Sequence, residues 1–181
     1  VKDQDESNGL STSIQGYSTV LAKFLNKFVG EGARNKFIPP EFFSAPNDFI
    51  IGLLDGYYSG DGTISKNSID VSSASSKLIE GISMLLTRFG IFSNMSVSIL
   101  KNNNFGTTNI APINRLSIRS MFAKKFANTI QITHPDKELK LENIKNSTTI
   151  LKHRNMYQIQ NDTILDEIIS IKKLSSEKYP K

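Results

Sequence analysis

The sequence contains no cysteine in its 181 residues. That absence excludes disulfide bonds, thiolate metal sites and cysteine nucleophiles, and it is typical of a reducing compartment. Any metal ion must then bind oxygen or histidine ligands. The sequence also lacks an apolar run of membrane-spanning length, and its polar, partly acidic first 13 residues differ from a signal peptide. We therefore expect an intracellular protein with no membrane contact, whether in cytoplasm, nucleus or organelle.

Positive charge is present in modest excess and is unevenly distributed. The net charge of +5 and the pI near 9.3 favour a polyanionic partner, although many basic proteins bind no nucleic acid. Acidic residues cluster in the first six positions, whereas basic residues dominate one later stretch: Lys101, Arg115, Arg119, Lys124, Lys125, Lys137, Lys140, Lys145, Lys152 and Arg154. This distribution predicts a basic face in the second half of the chain.

The first half of the chain shows helical periodicity. An amphipathic helix is predicted from Ser18 to Val29, and the adjacent Pro39 and Pro40 cannot continue it. A second helix should begin near Asn47 or Asp48, either of which could cap it, and should run past Tyr58. It is apolar nearly all round, so we expect it to be buried.

Glycine recurs every four residues along this second helix, at Gly52, Gly56 and Gly60. Each glycine costs a helix about 1 kcal/mol relative to alanine. The three in register therefore predict a close backbone contact along that side, as in helix pairs built on small residues.

After Gly62 the apolar period changes from helical to alternating. The pattern predicts a hairpin of strands 63–65 and 69–73, then a helix capped by Ser75 or Ser76 and ending at Gly90. Two further strands, 95–100 and 113–119, precede a helix from about Ser120 whose Phe122, Phe126 and Ile130 should pack inward. The order is thus helix, two strands, helix, two strands, helix.

The densest motif is Leu54-Asp-Gly-Tyr-Tyr-Ser-Gly-Asp-Gly62 at the end of the glycine-bearing helix. It resembles the nine-residue motif of the LAGLIDADG homing endonucleases, and the order of elements that follows resembles that family's half-domain over roughly residues 36–145. The motif departs from the family at Ser59, where an acid often stands, and keeps the penultimate acid, Asp61. Taken alone, Gly-Asp-Gly is equally typical of a tight turn.

The resemblance implies an α+β fold: an αββαββα half-domain with an antiparallel DNA-binding sheet packed under helices. It also implies a site-specific double-stranded DNA endonuclease of the intein type, which hydrolyses phosphodiester bonds with Mg²⁺ or another divalent cation such as Mn²⁺. Asp61 and Gly60 are the implied metal ligands, and the negative end of the helix dipole favours a cation there.

A basic residue beside this metal site is also implied by the resemblance. The segment Ile130 to Leu141 is similar to the one that carries it in intein endonucleases, and Lys137 is the candidate, with Lys140 in reserve. Catalysis would thus involve Asp61 and Lys137, although a lone lysine can equally begin a solvated helix. His134, followed by Pro135, is more typical of a solvated turn than of a catalytic base.

DNA contacts are expected from the open face of the sheet and from nearby lysines. Alternation places Leu116 and Ile118 on one side of the last strand and polar residues on the other. Such a face can enter the major groove as a β-ribbon. The candidate DNA-binding residues are Ser72, Ser96, Ser98, Lys101, Arg115, Ser117, Arg119 and Lys140.

The chain divides into four segments by these patterns. Residues 1–13 are interpreted as a flexible leader, 14–46 as a helix and linker from a preceding half-domain, 47–148 as the endonuclease half-domain, and 149–181 as a tail resembling re-entry into an intein splicing domain. With one motif copy, the expected partner besides double-stranded DNA is a second half-domain, either upstream in a parent chain or a second copy in a homodimer.

Two other functions stay open from the sequence. One is a catalytically inactive DNA- or RNA-binding module, such as a degenerate endonuclease or a maturase-like relative. The other is an interaction domain whose glycine-bearing helix serves only dimerisation. Salt-dependent binding to duplex DNA separates the last from the other two.

Overall fold

The computed structural model describes residues 2–4, 13–99, 112–147, 158–160, 163–165 and 170–171. Its helices are α1 (Thr19–Val29), α2 (Asn47–Asp61), α3 (Ser76–Thr87), α4 (Ser120–Thr129) and α5 (Pro135–Lys145), with a short 3-10 helix at Pro40–Ser44. The strands are β1 (Lys2–Gln4), β2 (Ser13–Gln15), β3 (Thr63–Ile64), β4 (Ser68–Ser73), β5 (Asn94–Ile99), β6 (Pro112–Arg119), β7 (Gln158–Gln160) and β8 (Thr163–Leu165).

The central body is an α+β fold, as expected. Strands β3 to β6 form one antiparallel sheet in the order β3-β4-β6-β5. The register pairs Val71 with Leu116 and Ile69 with Ile118, all of them buried. Because neighbouring side chains on a strand point to opposite faces, this register gives the sheet one apolar and one polar face. The helices cover the apolar face.

Helix α2 supplies the centre of the core through Ile50, Leu54 and Tyr58, which are all fully buried. The spacing of four places these side chains on one side of the helix. The ring of Tyr58 packs edge-on against that of Phe126, 4.8 Å between centroids. Since burial of one such side chain stabilises the folded state by about 1.5–3 kcal/mol, α2 is anchored firmly by this side alone.

The predicted N-terminal cap is confirmed for α3 and is wrong for α2. Ser75 caps α3, accepting from the Leu78 amide at 3.2 Å, and its hydroxyl also donates to the Lys36 carbonyl at 2.5 Å. The expected side-chain cap on α2 is wrong, because Pro46 occupies the cap position and makes no side-chain bond. Asn47 instead accepts from Arg88 at 2.8 Å.

Helix α1 contacts the body through a row of aromatic rings. Phe24 stacks on Phe28 at 5.2 Å, Phe28 meets Phe42 at 5.4 Å, and Phe42 meets Phe49 at 4.7 Å. The helix has no buried residue, and Val20 is 81% exposed. Its apolar side is therefore uncovered by the described part of the chain.

Short antiparallel strand pairs lie near both ends of the sequence. Residues 2–4, within the segment expected to be a flexible leader, pair antiparallel with residues 13–15. In the tail, β7 and β8 form a short hairpin. Lys101 and the other residues of the range 100–111, where the sequence predicts a polar loop, lie outside the described residues.

None of the helices among the described residues is long and apolar enough to cross a membrane.

Two helical glycines provide a test of the packing. A Cβ at Gly81 would lie 2.6 Å from Ile38 Cγ1, whereas a Cβ at Gly52 would meet nothing within 4 Å. Gly52→Ala should raise the free energy of unfolding by about 0.5–1 kcal/mol, because alanine favours a helix. Gly81→Ala favours the helix equally, but its added methyl group overpacks the core. The free energy of unfolding of Gly81→Ala should therefore be about 1–3 kcal/mol lower than that of Gly52→Ala. Urea unfolding measures both; equal stabilities would contradict the packing of Ile38 on α3.

Candidate active site

Asp61 is the last residue of α2 and its side chain is exposed. The chain leaves the helix through Gly62, whose amide donates to the Tyr58 carbonyl at 3.0 Å. A Cβ at Gly62 would lie 2.9 Å from Tyr58 Cα and closer still to the Tyr58 carbonyl oxygen. Only glycine therefore allows this exit, which presents the Asp61 carboxylate at the helix end.

The ammonium group of Lys137 is placed on the same helix end. Its Nζ donates to the carbonyl oxygens of Ser59 at 2.6 Å, Gly60 at 2.9 Å and Tyr58 at 3.2 Å. The Tyr58 carbonyl also accepts from the Gly62 amide. The Ser59 and Gly60 carbonyls lie in the last turn of α2, at the negative end of its dipole, so a cation stabilises them. Burial lowers the pKa of Lys137 below its ordinary value, and repulsion by Lys140 adds to this, while attraction to Asp61 opposes it.

A second contact fixes the segment that leads into α5. The Thr133 amide donates to Asp55 Oδ1 at 2.8 Å, its hydroxyl donates to Asp55 Oδ2, and Ser59 donates to Asp55 Oδ1 at 2.8 Å. Burial alone would raise the pKa of Asp55, but these hydrogen bonds outweigh it and lower the pKa. Because Lys137 follows Thr133 by four residues, this contact positions the lysine.

The tyrosine pair Tyr57 and Tyr58 lies under this site. Burial raises the pKa of Tyr57 to about 12, and the negative charge of Asp61 contributes to the rise. Both hydroxyl oxygens are buried without a hydrogen-bond partner among the described residues. The two side chains therefore stay neutral, and Asp61 and Lys137 are the charges at the end of α2.

Asp61 borders a cleft of about 320 Å³ that continues along the polar face of the sheet. Its other walls include Thr63, Asp70, Ser72 and Arg115. The cleft is built by topology, because β3 starts two residues after Asp61 and pairs Thr63 with Asp70. The motif and the sheet face thus meet in one space.

Asp70 is a buried acid that sequence analysis missed. Its Oδ1 accepts from Arg115 Nε at 3.2 Å and pairs with Arg115 Nη2 at 3.1 Å, and it also accepts from the Ser117 hydroxyl. Its Oδ2 accepts from Ser68 at 2.7 Å. Burial alone would raise the pKa of Asp70, but the hydrogen bonds of Ser117 and Ser68 and the charge of Arg115 together lower it.

The polar face brings most of the candidate DNA-binding residues together. Ser72, Arg115 and Ser96 are cross-strand partners in one row, and Arg119 and Ser98 are exposed on the same face. The expectation that Ser117 contacts DNA is corrected by the structure. Its side chain is buried and its hydroxyl donates to Asp70, so it is not available to DNA. Lys140 is exposed on α5, one turn after Lys137. Lys101 is outside the described residues.

A hard divalent cation fits Asp61 as one ligand among several. No three Asp, Glu or His side chains within the described ranges lie close enough to hold a metal ion. Mg²⁺ often binds through one or two carboxylates while keeping water and phosphate ligands, and the exposed Asp61 carboxylate suits that mode. The Gly60 carbonyl already accepts from Lys137, so a metal there would share that oxygen.

The three glycines of α2 and His134 are also exposed. Cβ atoms added at Gly52, Gly56 or Gly60 would meet nothing within 4 Å, so the close contact expected on this side of α2 is not made by the described part of the chain. His134 is exposed at the start of α5, where its carbonyl accepts from the Lys137 and Glu138 amides. It lies outside the cleft described above.

The sequence that forms this site matches a known protein family. Residues 48–131 match the LAGLIDADG-like domain family. This range holds all of α2 except Asn47, together with the four-stranded sheet, α3 and α4. The chain contains a LAGLIDADG-like domain. Members of this family are generally DNA-binding nucleases.

Several curated proteins are similar to this LAGLIDADG chain. It is 36% identical over 149 residues to DNA-directed RNA polymerase subunit Rpo1C of Methanocaldococcus jannaschii. The aligned segment covers 80% of this chain and 16% of that protein. It is 30% identical over 165 residues to the ATP-dependent DNA helicase Hel308 of the same organism, a match that covers 87% of this chain and 13% of the helicase. A 58-residue match to the probable translation initiation factor IF-2 of Thermococcus kodakarensis is 41% identical and covers 31% and 5%. The chain spans less than a fifth of each.

The Asp55 contact predicts an acid-sensitive component of stability. Unfolded aspartate has a pKa of about 3.9, and the folded pKa is lower. The stabilisation is therefore complete at about pH 5 and above, and it is lost as pH falls past the unfolded pKa and through the folded pKa. Asp55→Asn should lower the free energy of unfolding near pH 7 and should reduce, without abolishing, its fall between about pH 5 and pH 3, because Asp70 contributes likewise.

Urea unfolding at a series of pH values measures this effect. Thr133→Val removes the hydroxyl that donates to Asp55 and should reduce the same acid dependence. The double variant should show less than the sum of the two single effects, because both changes act on one contact. An unchanged acid dependence in Asp55→Asn would refute the assignment.

Proposed function

We propose that this chain is one half of an intein-type homing endonuclease, which hydrolyses phosphodiester bonds at specific sites in double-stranded DNA with Mg²⁺ or another divalent cation such as Mn²⁺. The observation that carries the proposal is the exposed Asp61 carboxylate at the end of α2, beside the Lys137 ammonium and at the mouth of a cleft that runs into the polar sheet face. The family and the geometry of this site support it together.

The side chains have separate tasks in this proposal. When bound, a divalent cation would supply a nucleophilic water and stabilise the leaving oxygen. Asp61 would be its ligand from this chain. Lys137, held on the carbonyls of α2, would place a positive charge beside the scissile phosphate without needing to reorganise. Because Asp61 and Lys137 are brought together by α2 and α5, their geometry depends on the fold.

A second half-domain is the proposed protein partner. The glycine side of α2 is bare and lies opposite the buried side that carries Ile50, Leu54 and Tyr58. A helix without side chains on one face permits close backbone approach of another helix. We place the partner upstream in a longer parent chain, with a homodimer as the other arrangement. The exposed apolar side of α1 is also available to that partner.

The intein context is supported by the pattern of relatives. An RNA polymerase subunit, a DNA helicase and a translation initiation factor differ in their named functions, yet each contains a segment similar to this chain. In each case the match covers a small part of the relative. A segment shared by such different proteins is best explained as an insert common to them.

A DNA- or RNA-binding module without cleavage is the second candidate. It is favoured by the single motif copy and by the Gly60 carbonyl, which is already engaged by Lys137. Binding to duplex DNA that depends on salt is expected of both candidates, whereas metal-dependent cleavage is expected only of the first.

The catalytic role of Asp61 can be tested on a randomised duplex-DNA library. The test uses the chain joined to its second half-domain, which should produce breaks at a limited set of sequences with Mg²⁺ and none with EDTA. Asp61→Asn should reduce cleavage by at least about 100-fold, because the amide is a poor ligand for a hard cation. Sequencing of the new DNA ends measures both the rate and the sites.

Asp48→Asn is the matched control, since it makes the same change in the first turn of α2. It should cleave like the unmodified chain. Equal cleavage by Asp61→Asn and Asp48→Asn would overturn the role of Asp61. Sequence-selective binding without cleavage would favour the second candidate, and absence of DNA binding would overturn both.

A further inference from the structure

Asp70 lines the same cleft as Asp61 but differs from it in its surroundings. Its side chain is 6% exposed, and both carboxylate oxygens accept hydrogen bonds from within the protein. Oδ1 is engaged by Arg115 and Ser117, and Oδ2 by Ser68. Such a carboxylate is poorly placed to bind a metal ion or to accept a proton from water, because Oδ1 is fully engaged and little of the side chain is open to solvent. The position of Asp70 therefore needs an explanation other than metal binding or proton transfer.

The explanation lies in what Asp70 does to Arg115. A guanidinium group is planar and has two edges that can each make paired hydrogen bonds. Arg115 turns its Nε and Nη2 edge to Asp70, at 3.2 and 3.1 Å, which leaves the edge with Nη1 directed away from that carboxylate. Arg115 itself is 49% exposed. One edge of the guanidinium group is thus fixed by the protein, and Arg115 is also one of the residues that line the cleft.

We propose that Asp70 is a positioning residue that holds Arg115 as a rigid reader of one guanine in the DNA target. The proposal rests on the function above, in which the polar sheet face enters the major groove. The remaining donor edge matches the O6 and N7 acceptors of guanine, the pairing most used by arginine in that groove. A loose arginine would have to lose side-chain freedom on binding, whereas Arg115 is already ordered by its ion pair.

The same donor edge could also grip two oxygens of a backbone phosphate, but charge favours the base. Asp70 neutralises Arg115, so the pair carries little net charge to attract phosphate, while its directional hydrogen bonds remain. The neighbours in its row, Ser72 and Ser96, are uncharged. Contacts to phosphate depend mainly on net positive charge, and contacts to a base edge depend mainly on geometry.

Binding selection from a randomised duplex-DNA library in EDTA tests the proposal without requiring cleavage. The unmodified chain should prefer guanine at one position of its site by about 5- to 150-fold, the range for one good bidentate contact. Arg115→Lys keeps the charge but removes the planar fork, so the preference at that position should fall to under about 3-fold while other positions are unchanged. Asp70→Asn should weaken the same preference by a smaller factor.

Glu142→Gln is the matched control, because it removes one acid of the exposed ion pair with Lys145 on α5. It should leave all base preferences unchanged. Thermal unfolding checks that Asp70→Asn is folded; if it is not, Arg115→Lys carries the test. An unchanged guanine preference in Arg115→Lys would overturn the reading of guanine by Arg115, and a uniform change of affinity at all sequences would indicate a phosphate contact instead. An unchanged preference in a folded Asp70→Asn would overturn the positioning role of Asp70. Absence of duplex binding by the unmodified chain would overturn the proposed function as well.

Discussion

Helix α2 is buried on one side and bare on the other, and the rest of the structure depends on that constraint. Ile50, Leu54 and Tyr58 fill the core, while Gly52, Gly56 and Gly60 have open space around them. The two series are offset by two residues, which is about 200° around a helix, so they occupy opposite faces. The buried face holds α2 rigidly against the body. The bare face leaves its backbone open to a partner.

A rigid helix delivers its last residue to a defined place, and the site is assembled around that place. Gly62 turns the chain directly into β3, so Asp61 stands beside the polar face of the sheet. Lys137 satisfies the terminal carbonyls of α2, and Asp55 holds the start of its segment through Thr133. The charges around the helix end are thus set by contacts between elements that are distant in sequence. The same contacts stabilise the fold and shape the site.

Most elements of the central body could be predicted from local sequence patterns. Alternation of apolar residues placed β4 and β6 within a residue of their observed bounds, and Ser75 was a correct cap for α3. Asp61 could be found because its motif is contiguous. The start of α2 was harder, since Asn47 has the side chain of a cap but bonds to Arg88, a residue 41 positions away.

The polar contacts inside the sheet and between helices could not be predicted in the same way. Alternation shows that Arg115 and Ser117 share a face, but not that Ser117 is buried against Asp70. Asp70 itself sits between two buried apolar residues of β4, where the pattern gives it no special role. Its partners on β6 become visible only with the strand register. The link between Asp55 and Thr133 spans 78 positions and likewise has no local signal.

We propose that the end of α2 is a divalent-cation site formed in part by Asp61. The most direct measurement is the broadening of backbone amide NMR signals when Mn²⁺ is added to the ¹⁵N-labelled chain with duplex DNA present, since this does not depend on cleavage. The account predicts selective broadening at Gly60, Asp61, Gly62 and Lys137, with loss of the effect in Asp61→Asn. Broadening centred elsewhere, or equal broadening in Asp61→Asn, would contradict it.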